Sequence, residues 1–359
     1  MPAPTMTSDA FVRGEDPTAG IDRPQDLPEN LVAGKDALVR VVDRFPMKIS
    51  PYFLGLVRSA DDPLGRQVIP HPAELLDAAG ADDPLAEERQ SPAPQVLHRY
   101  PQRVVFLVSN QCAVHCRFCM RKRRVAGGRQ VSAAAIEAGL AYIRGHAEIN
   151  EVILSGGDPL MLPDGRLFAI LQDLRRMAHV RLLRLHTRVP MALPERVTPE
   201  LAALLSRFHP LYVNLHSNHP GEITVQSAAA CGLLADAGIA LGSQSVLLGG
   251  VNDDAEVLKM LFEGLLAIRV KPYYLHQLDR VPGTAHFQVP LARGLALMDA
   301  LRGRLSGMAI PHYMIDLPGG GGKVALTPDA IVAKHPTHWR VRNWLGTVYD
   351  YPCGDSPKR

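Results

Sequence analysis

From Arg103 onward, short apolar runs alternate with longer helix-like stretches. The runs Val104 to Val108, Val152 to Leu154, Leu182 to Leu185, Leu211 to Leu215, Leu241 to Leu248 and Val270 to Leu275 predict strands. The stretches between them predict helices starting near Ser132, Leu167, Pro199, Glu222, Ala255 and Leu291. Thr198-Pro199-Glu200 offers a capping hydroxyl and then a proline in the first turn, where a missing N–H costs little. Gly238 stands where a helix ending at Ala237 would stop. Six strand–helix repeats argue for parallel strands with crossover helices, in a barrel or a doubly wound sheet. The pattern alone leaves both open.

Outside the repeats the pattern is weaker. Met1 to Asn30, rich in Pro, Asp and Thr, predicts a flexible lead. Residues 31–98 predict a helical region broken by prolines such as Pro92 and Pro94. His312 to Leu317 predicts a further strand, and Trp339 to Tyr351 a strand pair turning through Asn343-Trp344-Leu345-Gly346. The expected division is therefore a lead and helical region over 1–98, a core over 99–310 and a C-terminal segment over 311–359.

With 359 residues, 47% hydrophobic and 21% charged, the chain has enough apolar surface for a large core. A net charge of +3 is too small to argue for a nucleic-acid partner. No apolar run approaches the length of a bilayer span, and the N-terminus lacks the apolar segment of a secretory signal. These features predict a cytoplasmic protein with no membrane partner. Five cysteines are too few for a disulfide scaffold, and three of them fall within eight residues, which points to a metal or a cluster.

In either candidate fold, ligands gather at the C-terminal ends of the strands. Cys112, Ser155 to Asp158, His186, Arg188, His216, Gln244 and Asp279 lie at or near those ends. Cys112, Cys116 and Cys119 have the spacing C-x3-C-x2-C. Three thiolates on a four-iron cube leave one iron to bind the amino and carboxylate groups of S-adenosylmethionine. Reduction then breaks a carbon–sulfur bond and yields a 5′-deoxyadenosyl radical. The competing reading is a zinc site with His115 or His98 as fourth ligand, although no second C-x2-C half is present. Pro318-Gly319-Gly320-Gly321-Gly322-Lys323 is not a phosphate loop, because Leu317 and Val324 stand where that pattern needs Gly and Ser or Thr. A lysine on a flexible loop can instead form an imine with a carbonyl cofactor.

The cysteine motif, with Phe118 before its last cysteine, resembles the radical S-adenosylmethionine superfamily. Asp316 to Lys323, Leu154 to Asp158, Asn218-His219-Pro220, Gln244 to Leu248, Gly250 to Asp253 and Lys271 to Tyr274 resemble the lysine 2,3-aminomutase family. That similarity runs from about Tyr100 to Tyr351. It implies a partial (βα)6 barrel with a helical N-terminal region and a short C-terminal β extension. It implies a 4Fe-4S cluster on Cys112, Cys116 and Cys119. It places Phe118, Ser155, Gly156, Gly157, Asp158, His216 and Gln244 around S-adenosylmethionine. Lys323 would carry pyridoxal phosphate, with Arg99 and Arg103 on its phosphate and Tyr100 and His276 beside it. Arg121 would meet the substrate carboxylate, and Asp279 and Asp316 the distal ammonium of L-lysine.

The implied reaction moves the amino group from carbon two to carbon three. Two carboxylates would repel the side chain of glutamate, so glutamate is disfavoured. An arginine guanidinium would still pair with them. No cysteine follows Gly250-Val251-Asn252-Asp253, and the tail holds only Cys353. The zinc site of other family members is therefore not expected. A homo-oligomer is expected, but their tetramer is not carried over. His276 replaces a tyrosine, and Leu275 to Arg280 look more like relatives that make β-lysine for elongation factor P. An electron donor for the cluster is also implied. From a different class, Arg121-Lys122-Arg123-Arg124 leaves a zinc- or cluster-containing nucleic-acid binder as the alternative.

Overall fold

A computed structural model describes residues 20–32, 35–77, 80–125 and 130–352. Nine strands form one sheet in sequential order. They are β1 (Val96–Tyr100), β2 (Arg103–Ser109), β3 (Glu151–Gly156), β4 (Leu182–Thr187), β5 (Leu211–His216), β6 (Ala240–Leu247), β7 (Val270–Gln277), β8 (His312–Leu317) and β9 (Gly322–Leu326). The strands β2 to β8 pair in parallel, and β1 and β9 add antiparallel flanks. All six predicted strands of the repeats are present, as is His312–Leu317. The two flanks meet where the Lys323 backbone N–H donates to the Tyr100 hydroxyl at 2.8 Å. The sheet is thus a barrel nearly closed by a side chain, which settles the choice left open by the pattern.

Alternation along the strands explains why this surface curls around a cavity. Val104, Phe106, Val152, Leu154, Leu183, Leu185, Val213 and Leu215 are fully buried in the core under the helices. The intervening positions, among them Arg103, Val105, Ile153, Ser155, Arg184, His186, Asn214, His216, Gln244 and Tyr274, face the barrel interior. Each fully buried Val- or Leu-sized side chain on the outer face contributes on the order of 1.5–3 kcal/mol relative to exposure. The inner face spends its positions on polar chemistry.

The crossover helices are Ala133–Gly145, Asp164–Arg175, Pro199–Ser206, Val225–Asp236 and Ala255–Ala267, with Leu291–Leu301 before β8. The Ser132 and Thr198 hydroxyls accept from Ala135 and Leu201 N–H, as capping residues do. Two predicted starts shift. The Leu167 helix begins at Asp164, whose carboxylate suits the first turn. The Glu222 helix begins at Val225, because Glu222 turns its carboxylate back onto the N–H groups of Asn218 and His219.

The predicted flexible lead is corrected over its described part. Ile21 bridges to Ile49, and Leu27 and Leu31 are buried in a second core with Leu38, Met47, Phe53, Val68 and Ile69. Ala113 and Val114, between the first two motif cysteines, enter the same core. Residues 1–19 and Cys353 lie outside the described residues. The expected strand pair near the C-terminus is β11 (His338–Arg342) with β12 (Val348–Pro352), joined by β10 (Ile331–Lys334) in a separate antiparallel sheet. Lys323 is not on a loop: the glycine run makes a tight turn after β8, and Lys323 is the second residue of β9. Among the described residues, no helix is long and apolar enough to cross a membrane.

Candidate active site

A cavity of about 370 Å³ opens at the C-terminal ends of the strands. It is bordered by Cys112, Cys116 and Cys119, by Phe118, Ser155, Gly156, Gly157, Asp158, His216 and Gln244, by Arg99, Tyr100, Arg103, His276 and Lys323, and by Arg121, Asp279 and Asp316. The structure therefore brings every candidate residue to one chamber. The cysteines and Lys323 share its walls rather than lying on opposite sides of the molecule.

The cysteine segment is held mainly from the N-terminal region. His115 N–H donates to Lys48 O at 2.7 Å and Arg117 N–H to Gln67 O at 2.8 Å. The Arg117 side chain, inside the motif, is only 2% exposed and pairs with Glu74, Nε to Oε1 at 2.9 Å and Nη2 to Oε2 at 2.7 Å. Burial pushes the Cys112 thiol well above its usual range and the Cys119 thiol up to about 11, with neighbouring cysteines adding to both. Such thiols give up their protons only to a strong local positive charge, which bound iron supplies. Arg188 lies beside Cys116, donating to its Sγ from Nη1 at 2.8 Å. Burial opposes the Arg188 cation, but Cys116 and Glu222 outweigh it and its pKa is raised.

The donor set fits a cluster better than a single ion. Among the described residues, no three His, Cys, Asp or Glu side chains converge as one metal ion requires. Thiolates on a cube are spread over its separate corners. Cys231, the other described cysteine, is packed in the core on helix Val225–Asp236, so the described residues bring no fourth thiolate to the chamber. Of the two histidines of the zinc alternative, only His115 lines the chamber. His98 faces Tyr142 Oη at 2.8 Å and Pro101 O at 3.2 Å, away from the cavity. His115 uses Nδ1 on Pro46 O at 3.2 Å, and burial lowers its pKa to about 4.

Beyond the thiols, Phe118 stacks on His216 with centroids 5.6 Å apart and rings 21° from parallel. The parallel register then places His216 beside Gln244 and Gln244 beside Tyr274. Gly156 and Gly157 serve the protein itself. A Cβ on Gly156 would lie 2.2 Å from Ser109 O, and one on Gly157 2.5 Å from Gln111 O. Only glycine lets the end of β3 press against the segment leading to Cys112. Asp158 is likewise engaged internally, accepting from Thr187 Oγ1 at 2.7 Å, Arg188 N–H at 2.7 Å and Leu160 N–H at 3.0 Å.

Across the chamber, β8 and β9 pair so that Asp316 lies directly opposite Lys323. Lys323 Nζ is 2.5 Å from Asp316 Oδ2, while His276 Nδ1 and Arg99 Nη1 each lie 3.6 Å from that carboxylate. Burial raises the Asp316 pKa, but hydrogen bonding to His276 and the Lys323 charge more than offset it, leaving the group well below the usual carboxylate range. Asp279 is pushed up to about 7, first by burial and then by repulsion from Asp316. Arg99 also donates to Gln90 Oε1 at 2.6 Å and Leu85 O at 3.1 Å. Arg103 lies 3.7 Å from Glu151 and over the Tyr100 ring at 4.6 Å. Arg121 is gripped by Glu87, with Nη2 to Oε1 at 2.7 Å, and its Nη1 is 3.3 Å from Ser155 Oγ.

Several chamber residues were absent from the sequence-based site: Glu87, Gln90, Arg184, Asn214, Tyr273 and Tyr274. Polar residues two apart inside apolar strands, such as Arg184 and His186 or Asn214 and His216, were the available signal. Glu87 carried none, since it comes from the region before the barrel. Lys122 and Arg123 of the basic run are paired within the protein, Lys122 3.5 Å from Glu74 and Arg123 2.8 Å from Asp83.

A parallel barrel whose first strand leads into three cysteines at the mouth of a polar chamber defines a radical S-adenosylmethionine enzyme. Residues 106–261 match the radical SAM superfamily accordingly. Such an enzyme uses a 4Fe-4S cluster and S-adenosylmethionine. Residues 298–357 match the family description Lysine-2,3-aminomutase. The chain is 43% identical to the L-lysine 2,3-aminomutase of Acetoanaerobium sticklandii over 89% of this chain and 78% of that protein. It is 42% identical to that of Clostridium subterminale over 90% and 79%. It is also 43% identical to a glutamate 2,3-aminomutase of Clostridioides difficile over 90% and 78%. The chain belongs to the lysine 2,3-aminomutase family, whose members are isomerases. Overall identity does not separate lysine from glutamate, so the choice of substrate falls to the chamber.

Proposed function

We propose that this enzyme converts L-lysine to β-lysine by moving the amino group from carbon two to carbon three, with pyridoxal phosphate carried by Lys323. The observation that carries the reading is the acidic pair Asp279 and Asp316 on the same cavity as Lys323 and the cysteines. Two carboxylates at the far end of the chamber attract an alkylammonium and repel the side chain of glutamate. A guanidinium would satisfy them too, so arginine is the second amino acid to be offered.

A shared cavity lining supports the remaining roles. Cys112, Cys116 and Cys119 would hold the cluster, with Arg188 beside Cys116. Phe118, His216, Gln244 and Ser155 to Asp158 would enclose S-adenosylmethionine. Tyr100, Arg99, Arg103 and His276 would surround pyridoxal phosphate, and Arg121, braced by Glu87, would orient the substrate carboxylate. When bound, the cluster and S-adenosylmethionine supply a carbon-centred radical and pyridoxal phosphate supplies the carbonyl that activates the migrating nitrogen. The chain positions these groups and excludes water from the radical. We place the enzyme in the cytoplasm as a homo-oligomer supplied by an electron donor. The stretch from Leu275 to Arg280, with His276 3.6 Å from Asp316, supports a second reading in which the β-lysine serves elongation factor P.

The test is anaerobic reconstitution with iron, sulfide, pyridoxal phosphate and S-adenosylmethionine. L-Lysine, L-arginine, L-glutamate and lysylated elongation factor P are supplied in parallel. β-Lysine from free lysine is expected. Turnover of glutamate without lysine would overturn the reading, and turnover of the lysylated factor alone would select the second one.

A further inference from the structure

The Asp316 carboxylate borders the chamber. It is 6% exposed on its side chain and already holds a cation of the protein, Lys323 Nζ at 2.5 Å. The contact is built into the fold, because β8–β9 register sets the two residues opposite each other on adjacent strands. Among the described residues Asp316 Oδ1 is buried with no hydrogen-bond partner, and Arg99 Nη1 stands off at 3.6 Å. Asp279, across the same cavity, makes no salt bridge among the described residues. The far end of the chamber thus has two carboxylates and one resident ammonium.

We propose that the Lys323 ammonium and the substrate's side-chain ammonium are alternative occupants of Asp316. This rests on the lysine reading above and deepens it. While Lys323 is a free amine, the substrate ammonium meets a carboxylate already neutralised and a like charge beside it. When the Lys323 nitrogen is engaged with the carbonyl cofactor and drawn off Asp316, both carboxylates turn to the substrate. The distal subsite is therefore open to an arriving substrate when Lys323 holds the cofactor, before the substrate nitrogen takes the carbonyl over. This makes amino-acid binding follow cofactor loading, and it makes Asp316 the group that couples the two.

The probe is n-pentylammonium, an alkylammonium that cannot form the amino-acid contacts. Its binding is measured by calorimetry to the full chain carrying its cluster and S-adenosylmethionine but no pyridoxal phosphate. Lys323→Gln removes the resident charge and should bind the probe at least tenfold tighter than the parent. Lys323→Arg keeps the charge and should stay as weak as the parent. Lys323→Gln combined with Asp316→Asn should lose the gain. Equal affinity in Lys323→Gln and the parent, or a gain that survives Asp316→Asn, would overturn the proposal. Iron content and the cluster absorbance confirm that each variant is folded. Lysine turnover by the fully loaded parent is followed alongside. Turnover without the gain removes the competition alone, whereas the gain without turnover removes the lysine reading alone.

Discussion

The two ends of the chamber solve opposite problems. At the cysteine end, the protein must hold three thiols in place, with Cys112 and Cys119 where burial opposes their ionisation. It does so with a scaffold: the Ala113–Val114 segment is packed into the N-terminal core and Arg117 is locked to Glu74. At the lysine end there is little packing and much charge. His276 and Lys323 hold Asp316 low, and burial with repulsion from Asp316 raises Asp279. One end is specified by shape and the other by electrostatics, so they should fail differently.

The largest effect that separates them is loss of activity with or without loss of the cluster. Lys323→Ala should lower amino migration by on the order of a thousandfold or more while iron, sulfide and the cluster absorbance remain. Cys116→Ala should remove both. If Lys323→Ala also lost iron, the ends would not be independent.

Next comes stability. Glu74 and Arg117 are essentially buried, so Glu74→Ala leaves an uncompensated guanidinium and should cost about 3–5 kcal/mol in denaturant unfolding. A loss below about 1 kcal/mol would show that the cysteine loop does not depend on this pair.

A smaller effect tests the electrostatic end through pH. The folded-state pKa of Asp279 is raised to about 7 from an ordinary value of 3.8. Between those values the folded chain binds more protons than the unfolded chain, so this group's contribution to stability falls as pH rises and levels off above about 7. Asp279→Asn should remove that decline. Substrate binding has the opposite sign, because the ammonium needs the ionised carboxylate. KM for L-lysine should fall roughly tenfold from pH 6 to pH 8 in the parent and stay flat in Asp279→Asn.

The smallest effect is a control on both ends. Lys259 and Glu263 form a half-exposed pair on helix Ala255–Ala267 at 2.8 Å. Lys259→Ala should change stability by about 0.5 kcal/mol or less, measured in the same denaturant titration as Glu74→Ala.

Local chemistry made much of this protein readable before its structure. The strands announced themselves as apolar runs, and Thr198 and Ser132 marked helix starts because a capping hydroxyl acts within three residues. The cysteine spacing and Lys323 were legible for the same reason. What escaped was non-local. Strand β1 has too mixed a sequence to stand out, and β9 hides behind a glycine run until β8 lends it a partner. The described part of the lead reads as polar and mobile, yet Leu27 finds a core assembled from residues up to Ala192 and Leu193.

By itself, then, the sequence determined the repeating strand–helix order, the three thiols and the lysine that ends the glycine run, because each depends on neighbours a few positions away. Only the tertiary structure decided that the sheet curls into a barrel, that Glu87 grips Arg121 and that Asp316 faces Lys323. Those pairings join residues separated by long stretches of chain or set by strand register. Their energies exist only once packing has brought the partners together and removed the water between them.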